Sequence, residues 1–144
     1  MKKSTLVVIS LVMSAFTLPA FAGPQFNNEQ LKKFEQTNEC SGCDLSSARI
    51  GDNHSGAILN NANLSNIRAK IGGILNFSYA NLQNANFSGA ELEESNLSFA
   101  NLTGAHFAGA VLGRTNFYGA VGLDLTNAYV CYVILPDGKT SDCK

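Results

Sequence analysis

The sequence predicts an all-β solenoid, and three observations carry that expectation. There is a strict five-residue period, one large apolar residue in each unit, and a small residue two places before it. Residues Ala80 to Gly119 are eight consecutive copies of one phrase: ANLQN, ANFSG, AELEE, SNLSF, ANLTG, AHFAG, AVLGR and TNFYG. The third place is always Leu or Phe (Leu82, Phe87, Leu92, Leu97, Leu102, Phe107, Leu112, Phe117), and the first is Ala, Ser or Thr. Apolar residues recur every 3.6 residues on a helix and every 2 on a half-buried strand, so a period of five belongs to neither. A unit this short cannot bury its own apolar residue and must stack on copies of itself.

Ahead of the repeat, residues 1–22 have the layout of a secretory signal peptide. Lys2 and Lys3 precede a mostly apolar run from Leu6 to Leu18, and Ala20-Phe21-Ala22 is a small-x-small cleavage site, with cleavage expected after Ala22. The run is short for a bilayer span, which needs about 20 residues, and no Cys stands at the cleavage point of a lipoprotein. A periplasmic or secreted location is expected, with no membrane insertion after cleavage. Without Lys2 and Lys3 the 10 basic residues fall to 8 against 11 acidic, a net charge near −3. That balance offers no strong attraction to nucleic acid or to an anionic membrane.

Residues 23–37 read as an N-terminal cap. Asn27 or Asn28 starts a short helix, Glu29 and Gln30 suit its first turn, and Leu31 and Phe34 form one apolar edge. Such a helix is expected to cover the open end of the solenoid, which otherwise exposes core and unpaired backbone. The repeat is expected over 38–135. Cys40, Leu45 and Ile50 keep the five-residue spacing, with Asn38, Cys43 and Ala48 as small partners. The frame then slips at the polar, glycine-rich Gly51–Gly56, and Leu59 and Leu64 resume one residue early. Thirteen residues from Leu64 to Phe77 imply that Ile67–Gly73 bulges, and the same step from Phe117 to Val130 implies an interruption at Val121–Asn127. Four to five coils are expected. Pro136-Asp137-Gly138 is a turn signal, and 136–144 forms a C-terminal tail.

These units resemble the pentapeptide repeat family, whose consensus is close to A-[DN]-[LF]-x-x. The resemblance covers about Asn38 to Leu135 and is most specific over Ala80–Gly119. It implies a right-handed quadrilateral β-helix with four pentapeptides per coil, the central Leu or Phe and the small first residue pointing inward. One large and one small residue together fill a narrow tube at interior density. In that frame Cys40 and Cys43 flank one corner, and Cys131 and Cys143 flank the final turn. Two disulfides, Cys40–Cys43 and Cys131–Cys143, are the pairing expected of the three that four cysteines allow, export placing them in an oxidising compartment. A plain core role for Cys43, a redox-active C-x-x-C and zinc binding are the alternatives.

Outward residues stack in columns one coil apart. Tyr79 lies above Phe99 with Tyr118 beside their continuation, an exposed aromatic strip that could contact a protein or a sugar ring or simply stiffen its face. Glu91, Glu93 and Glu94 form an acidic spot with Arg114 one coil below Glu94. Asn81 above Asn101, and Asn96 above Asn116, are expected to bond between coils. His106 points outward, and His54 falls in the polar loop. No paired carboxylates, nucleophile triad, metal cluster or phosphate loop is evident, so no enzyme and no cofactor is expected. The reading is a non-enzymatic exported scaffold or protein-interaction module with an unidentified protein partner and scope for a homodimer. One alternative, from the resemblance, is a gyrase-directed DNA mimic, which export and the single acidic pentapeptide disfavour. The other is a periplasmic thiol, redox or metal-handling protein working through Cys40 and Cys43.

Overall fold

The computed structural model describes residues 27–71 and 73–144. The expected leader 1–22, the first residues of the 23–37 segment and Gly72 lie outside the described residues.

Helix α1, Asn28–Thr37, opens the described chain. Asn27 is its N-cap, the side-chain oxygen accepting from the Glu29 and Gln30 N–H groups, and Glu29 sits in the first turn where the helix dipole favours an anion. The helix stops at Asn38, which turns left-handed (φ 60°) and donates its N–H to the Phe34 carbonyl. Phe34 is fully buried, and Leu31 packs beside it half-covered.

Beyond Asn38 the chain winds in coils whose segments pair in parallel with the next coil. Formal strands are short: β1 (Arg49–Ile50) pairs with β2 (Arg68–Ala69), and β3 (Val111–Gly113) pairs with β4 (Tyr129–Cys131). The remaining contacts are isolated bridges, because each straight segment lasts only a few residues before a corner. The bridges sort into four columns. One runs Glu39, Ile58, Asn81, Asn101, Val121; a second Asp44, Asn63, Asn86, His106; a third Arg49, Arg68, Glu91, Val111, Tyr129; a fourth Asn53, Asn76, Asn96, Asn116, Ile134. Four columns make four faces, and the fifth coil is reached at Val121. Backbone hydrogen bonds follow the columns, as in Leu82 N–H to Asn101 O at 2.9 Å and Phe87 N–H to His106 O at 2.7 Å.

The bore is filled by the two inward places of each unit. Leu82, Phe87, Leu92, Leu97, Leu102, Phe107, Leu112 and Phe117 are each no more than 1% exposed, and Ala80, Ala85, Ala90 and Ala100 are equally covered. Phe87 lies flat on Phe107 one coil below, at 5.0 Å. Each such burial contributes about 1.5–3 kcal/mol, and the column supplies the core a conventional domain builds between layers.

Three expectations change at the irregular places. Gly51–Gly56 is not an interruption. Asp52-Asn53-His54-Ser55-Gly56 is a complete unit, in register with the Asn76 unit below, and His54 fills the central inward place at 5% exposure. The missing residue falls at the corner before it, so the first coil is nineteen residues, Glu39 to Ile58. The bulge is shorter than Ile67–Gly73: Ile67 is fully buried, Arg68–Ala69 stay in register and the Lys70 N–H still bonds the Ile50 carbonyl, so the extra chain begins after Lys70. Here the large and small places exchange, Ile67 taking the small position and Ala69 the large one. This second coil is twenty-three residues, Asn53 to Asn76. At Val121–Asn127 the chain does not bulge but shortens, Val111 meeting Tyr129 eighteen residues on, and Leu123 and Leu125 pack against the core half-covered.

Candidate functional site

The corners decide which side chains face solvent. In every regular unit the fifth residue is left-handed: Gly89, Gly104, Gly109 and Gly119 where glycine is present, but also Tyr79, Asn84, Glu94, Phe99 and Arg114. One corner column reads Gly56, Tyr79, Phe99, Gly119. Tyr79 (φ 61°) and Phe99 (φ 59°) are bulky residues in a region where glycine is at ease and L side chains are strained. Their rings stack at 5.0 Å, and Tyr118, one place before Gly119, meets Phe99 edge-on at 5.5 Å. Tyr79 remains 65%, Phe99 46% and Tyr118 49% exposed. Gly119 makes room for this arrangement. A Cβ there would fall 2.6 Å from the Phe99 ring. The sequence-expected strip is therefore a continuous aromatic ridge. Its rings lean toward the C-terminal coils, since nothing lies within 4 Å of the Cβ position at Gly56 above Tyr79.

The acidic spot is largely neutralised. Arg68 Nη2 reaches Glu91 at 3.4 Å from one coil above, and Arg114 below binds Glu94 through Nε at 3.0 Å and through Nη2. Glu93 alone of the three makes no ion pair among the described residues. Exposed pairs of this kind add little stability, but they leave no sustained acidic face. The asparagine ladders also differ from expectation. Asn81 and Asn96 turn their amide oxygens to the N–H groups of Gln83 and Ser98 at their own corners, as Asn101 and Asn116 do to Thr103 and Tyr118. Amide bonds between coils form at other pairs: Asn76 to Asn53 at 3.0 Å, Asn84 to Asn61 at 3.1 Å, Asn86 to Asn63 at 3.3 Å. Holding the corner N–H is the more general task of asparagine here.

Cys40 is disulfide-bonded to Cys43 and Cys131 to Cys143. Cys40 and Cys43 are 1% and 8% exposed, and Cys40 Sγ sits 3.7 Å from the Gln30 carbonyl of α1. A partner thiol has no open approach to them in this state. Among the described residues no group of three His, Cys, Asp or Glu is placed to hold a metal ion, and no helix is long and apolar enough to cross a membrane. His106 is exposed as expected. His54, expected in a surface loop, is instead buried between Phe34 at 4.3 Å and Phe77 at 6.0 Å. Its polar neighbours concealed it in the sequence. The signal available was the spacing, because DNHSG places His54 where the frame wants Leu or Phe.

Four ladders of stacked short segments around a filled bore define a β-helical repeat protein. The pentapeptide repeats family model matches this chain in eight copies across residues 76–107 and 95–130, so this stretch is built of pentapeptide repeats, for which the fold is the right-handed β-helix. No curated protein sequence matches it. Among solved structures it is similar to QnrB1, a plasmid-mediated fluoroquinolone resistance protein, at 18% identity and a TM-score of 0.48, covering 67% of this chain and 47% of that one. It is also similar to HetL of Nostoc sp. strain PCC 7120, a pentapeptide repeat protein involved in heterocyst differentiation regulation, at 29% identity and a TM-score of 0.41, covering 72% and 40%. Rfr23 of Cyanothece 51142 gives 27% identity and a TM-score of 0.25, covering 73% and 92%. The chain thus spans less than half the length of QnrB1 and HetL.

Proposed function

We propose that the chain is a non-enzymatic, exported interaction module that engages a protein partner through the Tyr79–Phe99–Tyr118 ridge. The observation that carries this is the backbone at Tyr79 and Phe99. A left-handed L residue costs roughly 1–2 kcal/mol, while an aromatic pair returns about 0.5–1.5 kcal/mol. Two such residues therefore do not improve on the glycines that occupy the same column at Gly56 and Gly119. Left-handed corners recur in every unit, but these two carry exposed aromatic rings, and aromatic residues are enriched where proteins meet. The leader-like residues 1–22 and the two disulfides support export. Helix α1 acts as the lid of the tube. The Tyr79→Gly/Phe99→Gly double variant tests the reading. It is expected to melt no lower than the wild type, yet to lose the partner retained by the immobilised wild-type protein from periplasm or culture fluid. Equal retention of that partner by both proteins overturns the proposal.

A second reading, a homodimer through the C-terminal end, is favoured by the half-covered Leu123, Leu125 and Leu135 around a cleft of about 390 Å³. Leu125→Glu is then expected to convert a dimer to a monomer in analytical ultracentrifugation. A wild type that sediments as a monomer at all concentrations removes this reading.

A further inference from the structure

His54 occupies a place that the repeat gives to Leu or Phe, and among the described residues it is the one part of the bore that can change charge near neutral pH. Its ring is sandwiched between Phe34 of α1 and Phe77 of the next coil. Nδ1 lies 2.8 Å from the Asn38 side-chain oxygen. Asn38 spends its amide nitrogen on the Ser55 carbonyl at 2.9 Å, so its oxygen must accept, and His54 must carry its proton on Nδ1. Nε2 is then a bare lone pair, fully buried and without a partner among the described residues.

A gap lies beside Nε2. A Cβ at Gly51 would stand 3.6 Å from Nε2 and 3.4 Å from both Glu35 carboxylate oxygens, so the missing side chain separates the two groups. The Glu35 carboxylate is already engaged, accepting from the Gly51 N–H at 2.7 Å and from Lys70 Nζ at 2.8 Å. Each carboxylate oxygen thus already holds one donor, and neither reaches Nε2 in this structure.

We propose that α1 is a proton-gated lid, docked while the His54 imidazole is neutral and released when Nε2 takes up a proton. A proton on Nε2 would create a buried charge and a buried donor with no acceptor. The charged groups around the ring act in both directions. From α1, Glu35 favours the imidazolium, as does Asp52 from the ring's own unit; Lys70 of the second coil opposes it. Burial outweighs them and holds His54 below the ordinary histidine range. Stacking of the imidazolium on Phe34 offsets only part of the desolvation cost of a buried ion. The inexpensive way out is to lift α1, which exposes the ring to water and leaves the coils below intact. The sign follows from the lowered folded value. Docking is complete above the free-histidine pKa of about 6.5, and it weakens as pH falls from there toward the folded value.

Amide hydrogen exchange on the full chain with both disulfides intact, from pH 7.5 to 5, reads the lid directly. Relative to the amides of 80–119, protection in Asn28–Thr37 is expected to fall as pH drops from about 6.5 toward the lowered folded value, by at most about tenfold per pH unit, the slope of one proton taken up on opening. His54→Leu restores the repeat's ordinary residue and should flatten that slope. Glu35→Gln should keep it, since the carboxylate is not the sensor. A pH-independent lid in the wild type, an unchanged slope in His54→Leu, or a slope abolished by Glu35→Gln each overturns the proposal. Should His54→Leu fail to fold, the His54 ring in the wild type decides by its NMR titration. A midpoint near 6.5 with α1 still protected overturns gating, and a lower midpoint that tracks loss of helix protection supports it.

Discussion

The two ends of the tube are closed by unlike means. At the first coil a helix drives one aromatic ring, Phe34, into the bore, where it continues the column through His54 to Phe77. The helix is also tied from the side, by Gln30 Oε1 accepting from the Asp44 N–H and by Glu35 between Gly51 and Lys70. At the fifth coil none of the described residues plugs the bore. Residues after Gly138 run back along the last coil through backbone bonds, Leu135 N–H to Lys139 O, Ser141 N–H to Val133 O and Lys144 N–H to Val130 O, and Cys143 is bonded to Cys131. That arrangement pairs the backbone of two faces but leaves Leu123, Leu125 and Leu135 half-covered. The lesson is that one end is held by side-chain packing and the other by backbone pairing and a covalent clamp. The first should respond to cavities and protons, the second to reductant.

The sharpest contrast comes from a change that spares neither end. Phe107→Asp places an unpaired charge in the middle of the bore, against Phe87 and Phe117. It is expected to abolish cooperative folding as seen by circular dichroism. A cooperative, wild-type-like melt would break the assignment of the inward frame. Phe34→Ala comes next. Loss of a fully buried Phe costs about 3–5 kcal/mol, here confined to α1 and the first coil, so exchange in Asn28–Thr37 should rise while that in 129–144 stays fixed.

Cys131→Ser with Cys143→Ser opens the other end. Loss of such a bridge costs about 2–4 kcal/mol, and limited proteolysis should cut between 136 and 144 with α1 still protected. Cleavage at both ends would show that the ends are not independent. The smallest change is Glu35→Gln, worth less than about 1 kcal/mol for a pair open to water. Burial alone would raise the Glu35 carboxyl, but the Lys70 ammonium and the Gly51 N–H hold it below the ordinary range. Its contribution to docking is therefore present above about pH 4.5 and lost as pH falls through the lowered value. This acid step lies below the one expected from His54, and it should vanish in Glu35→Gln.

Much of this was legible because Leu and Phe at the centre of each unit are unambiguous. From Leu82 to Phe117 every inward residue could be named from the five-residue count. The count failed where the bore accepts something else. At His54 the ring is aromatic in volume but polar in composition, and only the Phe34 stack and the Asn38 bond make it an inward residue. At Ile67 and Ala69 the two inward places exchange sizes while keeping their combined volume, which a rule of small then large cannot see. The aromatic ridge was visible as a column, but its left-handed backbone was not, since side-chain identity argues against that conformation at Tyr79 and Phe99. The acidic spot misled in the opposite sense, because Arg68 lies far from Glu91 in sequence and one coil away in space.

The unequal coils carry a consequence for how such a chain can be altered. Steps of nineteen, twenty-three, twenty and eighteen residues all return to the same four columns, because every length change is absorbed at a corner before the next ladder begins. A deletion or insertion at a corner is thus not a frameshift for the architecture. The segment after Lys70 behaves as a port. Foreign sequence spliced at Lys70–Ile71 would project from the third face while Leu75 and Phe77 resume the bore, so the tube can be given new appendages without being redesigned.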